Sequence, residues 1–363
     1  MKLSRVILTT GGTGGHIFPA LAVAEEIRRR EPSARVHFIG GAYGPEKELA
    51  AKAGLEFTGL PVRGVLGRGL RAVGALAGLA RGIVLARGIV AREKPQVVAG
   101  FGGYAGFCPV VAARLCRVPT AVHEQNSVPG AANRLLGRLA DRVLMTYPDE
   151  QGAFDSDKTV RTGNPVRAAI TAVRGAGERE SGSGGAHLLV LGGSQGARAL
   201  NSAVAAAWPR LAQRGVKLWH QTGAADHERV ASIYAAQGGE PPRVAPFVED
   251  MAEAYAWADL VAGRAGATTL AELTVAGRPS ILVPFPYATH DHQTVNARYL
   301  ASRGAAELLP ENEATPERLA EIVLGLFGDP EKLLLMARAA RAEGRPDAAA
   351  AVVDELERLA ASA

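Results

Sequence analysis

Short apolar runs, glycine-rich segments and stretches of helical periodicity follow one another repeatedly along the chain. The first such set is the apolar run Val6–Thr10, the segment Gly11–Gly15 and the helical pattern Phe18–Arg30. Further runs of strand length are Val36–Ile39, Val97–Ala99, Thr120–His123 and Arg142–Thr146. Strands that alternate with helices are typical of a parallel sheet covered on both faces, so we predict an α/β fold with a doubly wound sheet.

The second half of the chain repeats this order after a polar, glycine-rich segment, Gly175–Gly185, that reads as a surface loop near a domain boundary. His187–Leu191 is predicted as a strand, Gly192–Gly196 as a loop and Ala197–Ala212 as a helix. Later strands and closing helices are predicted at Lys217–His220, Leu260–Ala262, Ser280–Pro284, Ala306–Leu309, Thr315–Phe327, Glu331–Ala342 and Ala348–Ala361. Two Rossmann-like halves imply a cleft, lined by the glycine loops at the carboxyl ends of the strands.

Composition agrees with a two-domain globular protein and bears on its cellular compartment and its partners. The chain has 363 residues, of which 47% are hydrophobic, enough for two cores. The chain has only two cysteines, Cys108 and Cys116, so we do not expect a disulfide framework. This cysteine content favours a reducing cytosol. The net charge of +5 is compatible with nucleic acid, a membrane surface or a phosphorylated substrate and does not choose among them. The apolar stretch Val97–Ala113 is too short and too rich in glycine to span a bilayer.

Three glycine loops follow predicted strands and form the first candidate site. They are Gly11–His16, Phe101–Gly106 with Tyr104, and Gly192–Ala197 with Ser194 and Gln195. Such loops let the backbone approach a phosphate, and a helix that follows offers free N–H groups. The alternative is a set of tight strand-to-helix turns. Because the spacing is neither that of a dinucleotide fingerprint nor that of a Walker loop, we expect another phosphate-rich ligand.

Polar side chains at strand and helix ends form a second candidate set. His123-Glu124-Gln125-Asn126 ends a buried strand, where four polar groups in a row seldom serve packing alone. Arg167 is expected on the first turn of a helix, where its planar fork suits a phosphate. Glu272, within the segment Arg264–Glu272, would repel phosphate and pair with ribose hydroxyls. Gln293 and Asn296 share one helix face and suit sugar hydroxyls.

The chain contains six motifs in series: GGTGGH, HEQN, GNPVR, GGSQGA, RAGATTLAE and DHQxxNA. They resemble those of the MurG family of peptidoglycan N-acetylglucosaminyltransferases over nearly the whole chain. The resemblance implies a GT-B fold. It also implies transfer of GlcNAc from UDP-GlcNAc to the 4-hydroxyl of MurNAc in undecaprenyl-pyrophosphoryl-MurNAc-pentapeptide, which converts lipid I to lipid II with inversion at the anomeric carbon.

The same resemblance implies roles for individual residues. His16 is expected near the reacting hydroxyl, Glu272 on the ribose, and the backbone of Val248 against uracil. Tyr104 and Asn296 are expected on the acceptor side. Contacts with the donor are implied for Thr13, Gly14, Gly15, Asn126, Arg167, Ser194, Gln195, Ala267, Thr268, Thr269, Leu270, Ala271, Glu272 and Gln293. The chain departs from the family at Gly106 and Phe107, where a Ser-Gly pair is common, and this bears on acceptor contacts.

Inversion requires a general base, for which His16 is the first candidate and Glu124 the second. We predict a reaction without a metal or another cofactor. Loop N–H groups, Ser194, Arg167 and the helix dipole near Gly266–Thr268 are expected to stabilise the departing UDP.

A basic, apolar segment predicts contact with a membrane. From Phe57 to Arg92 the chain has no Asp or Glu but six arginines, and Leu70–Arg92 is otherwise apolar. Such a helix can lie on an anionic bilayer, although it can also pack on a sheet with its arginines in water. With a lipid-linked acceptor implied, we expect a peripheral protein on the cytoplasmic face of the inner membrane. Nucleic acid is not among the expected partners.

We expect an N-terminal acceptor domain at residues 1–163, joined by the C-terminal helix at 346–363, and a UDP-GlcNAc-binding domain at 164–345. A UDP-GlcNAc 2-epimerase of the same fold is the nearest alternative function. Such an enzyme needs neither a lipid acceptor nor a basic, apolar stripe. A nucleotide-sugar-binding regulator without catalysis is a second alternative, which His16, Glu124 and Glu272 disfavour.

Overall fold

The computed structural model describes residues 2–12, 14–62, 72–173, 186–193 and 196–362, without the side chains of residues 72–76. The chain divides into two compact units. Unit 1 comprises Met1–Arg167 and Pro346–Ala363, and unit 2 comprises Ala168–Arg345. The predicted loop at Gly175–Gly185 lies outside the described residues, as do Thr13, Ser194 and Gln195.

Unit 1 is built on a seven-stranded sheet in the order β3-β2-β1-β4-β5-β6-β7, with every neighbouring pair parallel. Its strands are β1 (Arg5–Thr9), β2 (Arg35–Gly41), β3 (Glu56–Leu60), β4 (Val97–Gly100), β5 (Thr120–Glu124), β6 (Arg142–Met145) and β7 (Thr159–Arg161). The predicted parallel sheet is confirmed. The sequence pattern did not predict β3 and β7, because these edge strands are only partly buried and lack a continuous apolar run.

Six helices in the described part of unit 1 cover this sheet. They are α1 (Gly14–Arg30), α2 (Glu46–Lys52), α3 (Ala72–Glu93), α4 (Tyr104–Leu115), α5 (Ala131–Leu139) and the C-terminal α14 (Ala348–Ala361). Helix α14 packs on α1, where Val352, Val353 and Leu356 join the same core cluster as Val23 and Ile27. At the edge of this contact the Arg30 guanidinium lies 2.6 Å from the Asp354 carboxylate.

Unit 2 contains a six-stranded sheet in the order β10-β9-β8-β11-β12-β13, again parallel throughout. Its strands are β8 (Ala186–Leu191), β9 (Val216–Gln221), β10 (Arg243–Ala245), β11 (Leu260–Gly263), β12 (Ser280–Leu282) and β13 (Ala306–Leu308). The strand order 3-2-1-4-5-6, which unit 1 extends by β7 at one edge, is that of a Rossmann fold, in which ligands lie beyond the carboxyl ends of the strands.

The helices of unit 2 are α6 (Ala168–Val173), α7 (Arg198–Ala212), α8 (His227–Ala236), α9 (Met251–Trp257), α10 (Ala267–Ala276), α11 (His292–Ala301), α12 (Pro316–Phe327) and α13 (Pro330–Glu343). One core cluster joins α7 and α12 to the sheet through Leu200, Val204 and Val323. The expectation that Arg167 lies on the first turn of a helix was wrong, because α6 begins one residue later. No helix in the described part of the chain is both long and apolar enough to cross a membrane.

Two buried histidines make the stability of the protein depend on pH. His220 lies between the hydroxyl of Tyr234, at 2.8 Å, and the side-chain oxygen of Asn201, at 3.1 Å. Burial lowers the pKa of His220 from 6.5 to about 3, and burial lowers the pKa of His123 from 6.5 to about 4. Both imidazoles are therefore neutral in the folded protein under conditions that protonate them in the unfolded chain.

We expect the free energy of unfolding to fall as the pH falls from 6.5 towards 4. In this range the unfolded chain binds more protons than the folded protein, and each histidine contributes a slope of about 1.4 kcal/mol per pH unit. Urea unfolding at a series of pH values measures this slope. In His220→Gln the slope should decrease by one histidine's share, and an unchanged slope would contradict the assignment.

Candidate functional site

Two glycine loops of unit 1 meet at the carboxyl ends of β1 and β4. The amide of Gly11 donates to the carbonyl of Gly102 at 3.0 Å. Gly103 has a φ of +79°, and a Cβ at this position would lie 1.9 Å from the carbonyl oxygen of Gly11. Glycine is therefore required at residue 103 both by the backbone angle and by the close approach of the two loops.

His16 lies on the first turn of α1, which begins at Gly14 and not at Phe18 as the apolar periodicity predicted. The glycines before Phe18 carry no apolar side chain, so the pattern could not include them. The imidazole of His16 lies against Gly102, where an added Cβ would be 3.1 Å from its Nδ1. Its Nδ1 is 3.0 Å from Oε1 of Gln125. The two glycine loops and the end of β5 thus hold this ring.

The side chain of Gln125 joins His16 to a buried histidine. Its Nε2 lies 3.1 Å from Nδ1 of His123 and donates to the carbonyl of Phe101 at 3.0 Å. His123 in turn has its Nε2 2.9 Å from the carbonyl of Gly163, and its ring stacks on that of Phe101. His16, Gln125 and His123 therefore form one continuous hydrogen-bonded chain.

Glu124 holds the loop that follows β5. One carboxylate oxygen accepts from the backbone amide of Asn126 at 3.0 Å, and the other accepts from the amide of Gly130 at 3.1 Å and from the side chain of Asn133 at 2.9 Å. The side chain of Asn126 donates to the same carboxylate at 3.3 Å. Glu124 is buried. The carboxylate thus fixes the loop that carries Asn126.

Glu46 is a buried carboxylate that the sequence analysis missed. Its Oε1 accepts from the amide of Gly12 at 3.0 Å and from that of Gly41 at 3.2 Å. It therefore ties the loop that precedes His16 to the end of β2. The sequence did contain a signal for this residue, because Glu46 follows a glycine-rich segment at the end of a predicted strand.

Arg167 and Tyr104 complete the predicted residues of unit 1. The Arg167 guanidinium lies 4.7 Å from the centre of the Phe18 ring, on the helix that carries His16. Tyr104 is the first residue of α4 and is half-buried. Gly14 and Gly15 are half-buried on the first turn of α1, whereas Thr13 lies outside the described residues.

In unit 2, Gln221 at the end of β9 joins two loops. Its Oε1 accepts from the amide of Gly193 at 3.0 Å, and its Nε2 donates to the carbonyls of Gly193 at 3.0 Å and Pro246 at 3.2 Å. The first loop leads to Ser194 and Gln195, and the second leads to Val248, which is buried. Sequence analysis missed Gln221, although His220-Gln221-Thr222 is a polar strand end of the same kind as that of β5.

Helix α10 begins beyond the carboxyl end of β11 with Gly266 as its N-cap, and no side chain caps it. Leu270 donates its amide to the carbonyl of Gly266 at 3.0 Å, and the positive end of the helix dipole lies at this first turn, Ala267–Leu270. Ala271 follows, and Glu272 lies within the helix as predicted. The buried carboxylate of Glu272 accepts from the hydroxyl of Tyr255 at 3.0 Å.

Helix α11 carries Gln293 and Asn296. The side-chain oxygen of Gln293 accepts from the amide of Phe285 at 3.0 Å, and Asn296 is buried and donates to the carbonyl of Ala265 at 3.4 Å. His290 and Asp291, just before the helix, both have a left-handed backbone. Strained backbone of this kind is common at binding sites.

A cluster of possible metal ligands lies at the opposite edge of the unit 1 sheet. His37, Glu56 and Glu93 come together near the amino ends of the strands. The Arg35 guanidinium lies 2.9 Å from Glu56 and 3.2 Å from Glu93. These carboxylates therefore belong to an ion-pair network away from the carboxyl ends of the strands.

Models of the two domains of glycosyltransferase family 28 match the chain. The N-terminal domain model matches residues 6–145, and the C-terminal domain model matches residues 187–352. Together with two Rossmann-like sheets and polar groups at the carboxyl ends of their strands, these matches define a glycosyltransferase with the domain architecture of the GT-B class.

Among relatives, one from Nitratidesulfovibrio vulgaris is 58% identical and covers 98% of each chain. It is named UDP-N-acetylglucosamine–N-acetylmuramyl-(pentapeptide) pyrophosphoryl-undecaprenol N-acetylglucosamine transferase. The crystal structure of MurG from Acinetobacter baumannii is 33% identical, with a TM-score of 0.77 and coverage of 98% of this chain and 99% of that one. The chain belongs to the MurG family of peptidoglycan N-acetylglucosaminyltransferases, within glycosyltransferase family 28.

The predicted family, enzyme class and two-domain α/β fold are thus confirmed. A structure described as a putative UDP-N-acetylglucosamine 2-epimerase from Listeria monocytogenes has a TM-score of 0.69 and covers 98% of this chain and 97% of its own. Its sequence identity is 17%, so this likeness shows the fold alone.

Proposed function

We propose that the protein transfers GlcNAc from UDP-GlcNAc to the 4-hydroxyl of MurNAc in undecaprenyl-pyrophosphoryl-MurNAc-pentapeptide, the step from lipid I to lipid II in peptidoglycan synthesis. The observation that carries the proposal is the full-length similarity, at 58% identity, to a relative named for this transfer. The polar groups at the carboxyl ends of both sheets provide the chemistry that a nucleotide sugar requires.

In the proposed reaction the acceptor 4-hydroxyl oxygen attacks the anomeric carbon of GlcNAc. The bond from that carbon to the phosphate oxygen breaks, UDP leaves with the electron pair, and His16 takes the hydroxyl proton. We assign the base to His16 rather than to Glu124, because both carboxylate oxygens of Glu124 accept hydrogen bonds from its own loop. Tyr104 and Asn296 remain proposed for the acceptor side.

We propose that unit 2 binds UDP through the loops after β8 and β10 and through α10. The positive end of the α10 dipole, at the first turn Ala267–Leu270, suits the pyrophosphate, whose charge increases as UDP departs. Glu272, one turn further along α10, is proposed to bind the ribose, and Val248 is proposed to contact uracil. Ser194, Gln195, Ala271 and Gln293 are proposed to contact the same donor.

For unit 1 we propose donor contacts from the first turn of α1 and from two loops. They comprise Thr13, Gly14, Gly15, Asn126 and Arg167. The guanidinium of Arg167 provides a planar fork of donors for a phosphate oxygen. No metal or other cofactor is proposed for the transfer.

One assay separates the proposed transferase from its alternatives. The protein is incubated with UDP-GlcNAc and a soluble lipid I analogue, and UDP release and sugar products are measured. Release that requires the acceptor, with a new β-linked disaccharide, supports the proposal. Interconversion of UDP-sugars without acceptor would establish an epimerase, and binding of UDP-GlcNAc without turnover would establish a regulator.

We expect Gln221→Ala to raise the KM for UDP-GlcNAc about tenfold with a smaller effect on kcat, since three hydrogen bonds that hold the loops of Gly193 and Pro246 are lost. Steady-state kinetics and calorimetric titration with UDP measure the change. Gln237→Ala is the matched control, because that side chain donates to Ala205 away from these loops. Equal effects of the two substitutions would contradict the role of Gln221.

Unit 1 also presents an apolar, basic face suited to a membrane surface. Val84 on α3 and Leu115 on α4 are 71% and 61% exposed, and Leu85 on α3 and Leu135 and Leu139 on α5 are also exposed; α4 packs against both α3 and α5. Apart from Glu93, these helices carry no Asp or Glu, whereas their basic residues include Arg81, Arg87, Arg114, Arg134 and Arg138. The predicted residues 63–71 of the basic segment lie outside the described residues.

We propose that this face binds the cytoplasmic leaflet of the inner membrane, with the protein peripheral to it. We expect the protein to co-sediment with vesicles that contain anionic lipid, and binding to weaken with salt. Val84→Glu/Leu115→Glu should lower the partition coefficient at least tenfold, as two apolar anchors become charged. Leu335→Glu, an exposed leucine of unit 2, is the matched control. Equal binding of all three proteins would contradict the proposed face.

A further inference from the structure

The chain of hydrogen bonds behind His16 ends on backbone carbonyls, and this determines where its protons lie. A carbonyl can only accept, so Nε2 of His123, 2.9 Å from the carbonyl of Gly163, must carry a proton. His123 is buried and its pKa is lowered to about 4, so its ring is neutral and its Nδ1 has a free lone pair. That nitrogen can therefore only accept.

The amide of Gln125 is oriented by these acceptors. Its Nε2 lies 3.1 Å from Nδ1 of His123, 3.0 Å from the carbonyl of Phe101 and 3.4 Å from the carbonyl of His123. All three groups are acceptors, and the amide nitrogen has two protons to donate among them. A flipped amide would place its oxygen against acceptors only, so this orientation is required by all of these partners.

The amide oxygen of Gln125 consequently faces His16. It lies 3.0 Å from Nδ1 of the imidazole, and an amide oxygen can only accept. A neutral His16 must then have its proton on Nδ1 and its lone pair on Nε2. No described residue forms a hydrogen bond with this Nε2, which leaves its lone pair available for a substrate proton.

We infer that Gln125 and His123 are positioning residues that hold His16 in the Nδ1-protonated tautomer, so that Nε2 is the atom that removes the proton from the acceptor hydroxyl. The inference rests on the proposed function in that it takes His16 as the base. In a catalytic triad a carboxylate accepts a hydrogen bond from Nδ1 of the histidine and so orients its ring. Here a neutral amide, itself held by a second, neutral histidine, takes the place of that carboxylate. The neutral partners orient the ring without adding a charge that would retain the proton.

The tautomers can be observed directly, without any turnover. Protein labelled with ¹⁵N in its histidine rings is studied by NMR at pH 7.5, and His16→Gln and His123→Gln identify the signals. We expect Nδ1–H for His16 and Nε2–H for His123. A His16 ring protonated on Nε2 in the wild-type protein would overturn the inference, whatever the activity.

Three variants distinguish the effect of the Gln125 hydrogen bond on kcat from the effect of side-chain packing at residue 125. Gln125→Met fills a similar volume but cannot accept, so we expect kcat to fall about 30-fold at an unchanged KM for UDP-GlcNAc, with His16 in mixed tautomers. Gln125→Glu keeps an acceptor towards His16, and when protonated its hydroxyl donates to His123 as the amide does. It should retain a kcat at least tenfold above that of Gln125→Met. Gln151→Met, on the surface of the same unit, is the matched control.

The outcomes distinguish this inference from the proposed function. A wild-type kcat in Gln125→Met, or equal losses in the Met and Glu variants, would overturn the positioning role. Normal turnover in His16→Ala would remove His16 from the base role, while the NMR result would still report its tautomer. Absence of acceptor-dependent UDP release in the wild-type protein would instead reject the transferase.

Discussion

Replacement of His16 by alanine should lower kcat by about two to four orders of magnitude, the range that a positioned general base contributes. The effect should fall on kcat, because His16 is proposed to act on the acceptor proton and the loops of unit 2 are proposed to bind UDP. Pre-steady-state and steady-state measurements of UDP release, with lipid I analogue in excess, give this number. Calorimetric titration should show that affinity for UDP is retained.

Glu124→Gln provides the contrast for His16→Ala. The Glu124 carboxylate holds the loop of Asn126 and Gly130, so its loss should lower the melting temperature together with kcat. His16→Ala removes a half-buried side chain from the surface of α1 and should leave the melting temperature within a few degrees. If Glu124→Gln had the larger loss of kcat with an unchanged melting temperature, the base would be Glu124.

Gly103→Ala should lower the free energy of unfolding by at least about 3 kcal/mol and reduce kcat/KM about a hundredfold or more. A side chain at residue 103 meets two obstacles, a left-handed φ of +79° and a carbonyl oxygen of Gly11 only 1.9 Å from the new Cβ. Relief of this overlap must move one glycine loop, and the loop of Gly11 leads to His16. Chemical denaturation and kinetics on the same preparation measure both effects.

Gly88→Ala is the control for this substitution. Gly88 lies on α3, where a Cβ would have nothing within 4 Å, and alanine in a helix is more stable than glycine by about 0.5 to 1 kcal/mol. We therefore expect unchanged kinetics and equal or greater stability. A Gly103→Ala protein that resembled Gly88→Ala would show that the two loops can separate without consequence.

The central strands of both sheets and the edge strand β13 could be predicted from the sequence, whereas the edge strands β3, β7 and β10 could not. Buried strands such as β4 and β8 are continuous apolar runs, because helices cover both of their faces. At β3 and β10 one side of the strand has no neighbour in the sheet, and the residues are only partly buried. Their sequences then carry no pattern that separates a strand from a loop.

The candidate site was predicted by residue type but not by arrangement. Polar groups at the end of a buried strand, as in His123–Asn126, are visible in the sequence because burial of such groups is costly without a partner. Which group each of them binds depends on segments far away in the chain. Glu46 reaches the loop of Gly12, and Gln221 reaches the loop of Gly193, across separations that no local pattern records.

The sequence by itself therefore determined the class of fold, the family, and the glycine loop that carries His16. The class of fold follows from the periodicity of the sequence, and the family follows from the resemblance of its six motifs to those of known proteins. Only the tertiary structure decided that His16 faces the oxygen of Gln125 and that Gln125 is oriented by His123 and by the carbonyl of Phe101. The physical reason is that a histidine tautomer depends on its hydrogen-bond partner, and that partner is brought to the ring from another strand of the sheet.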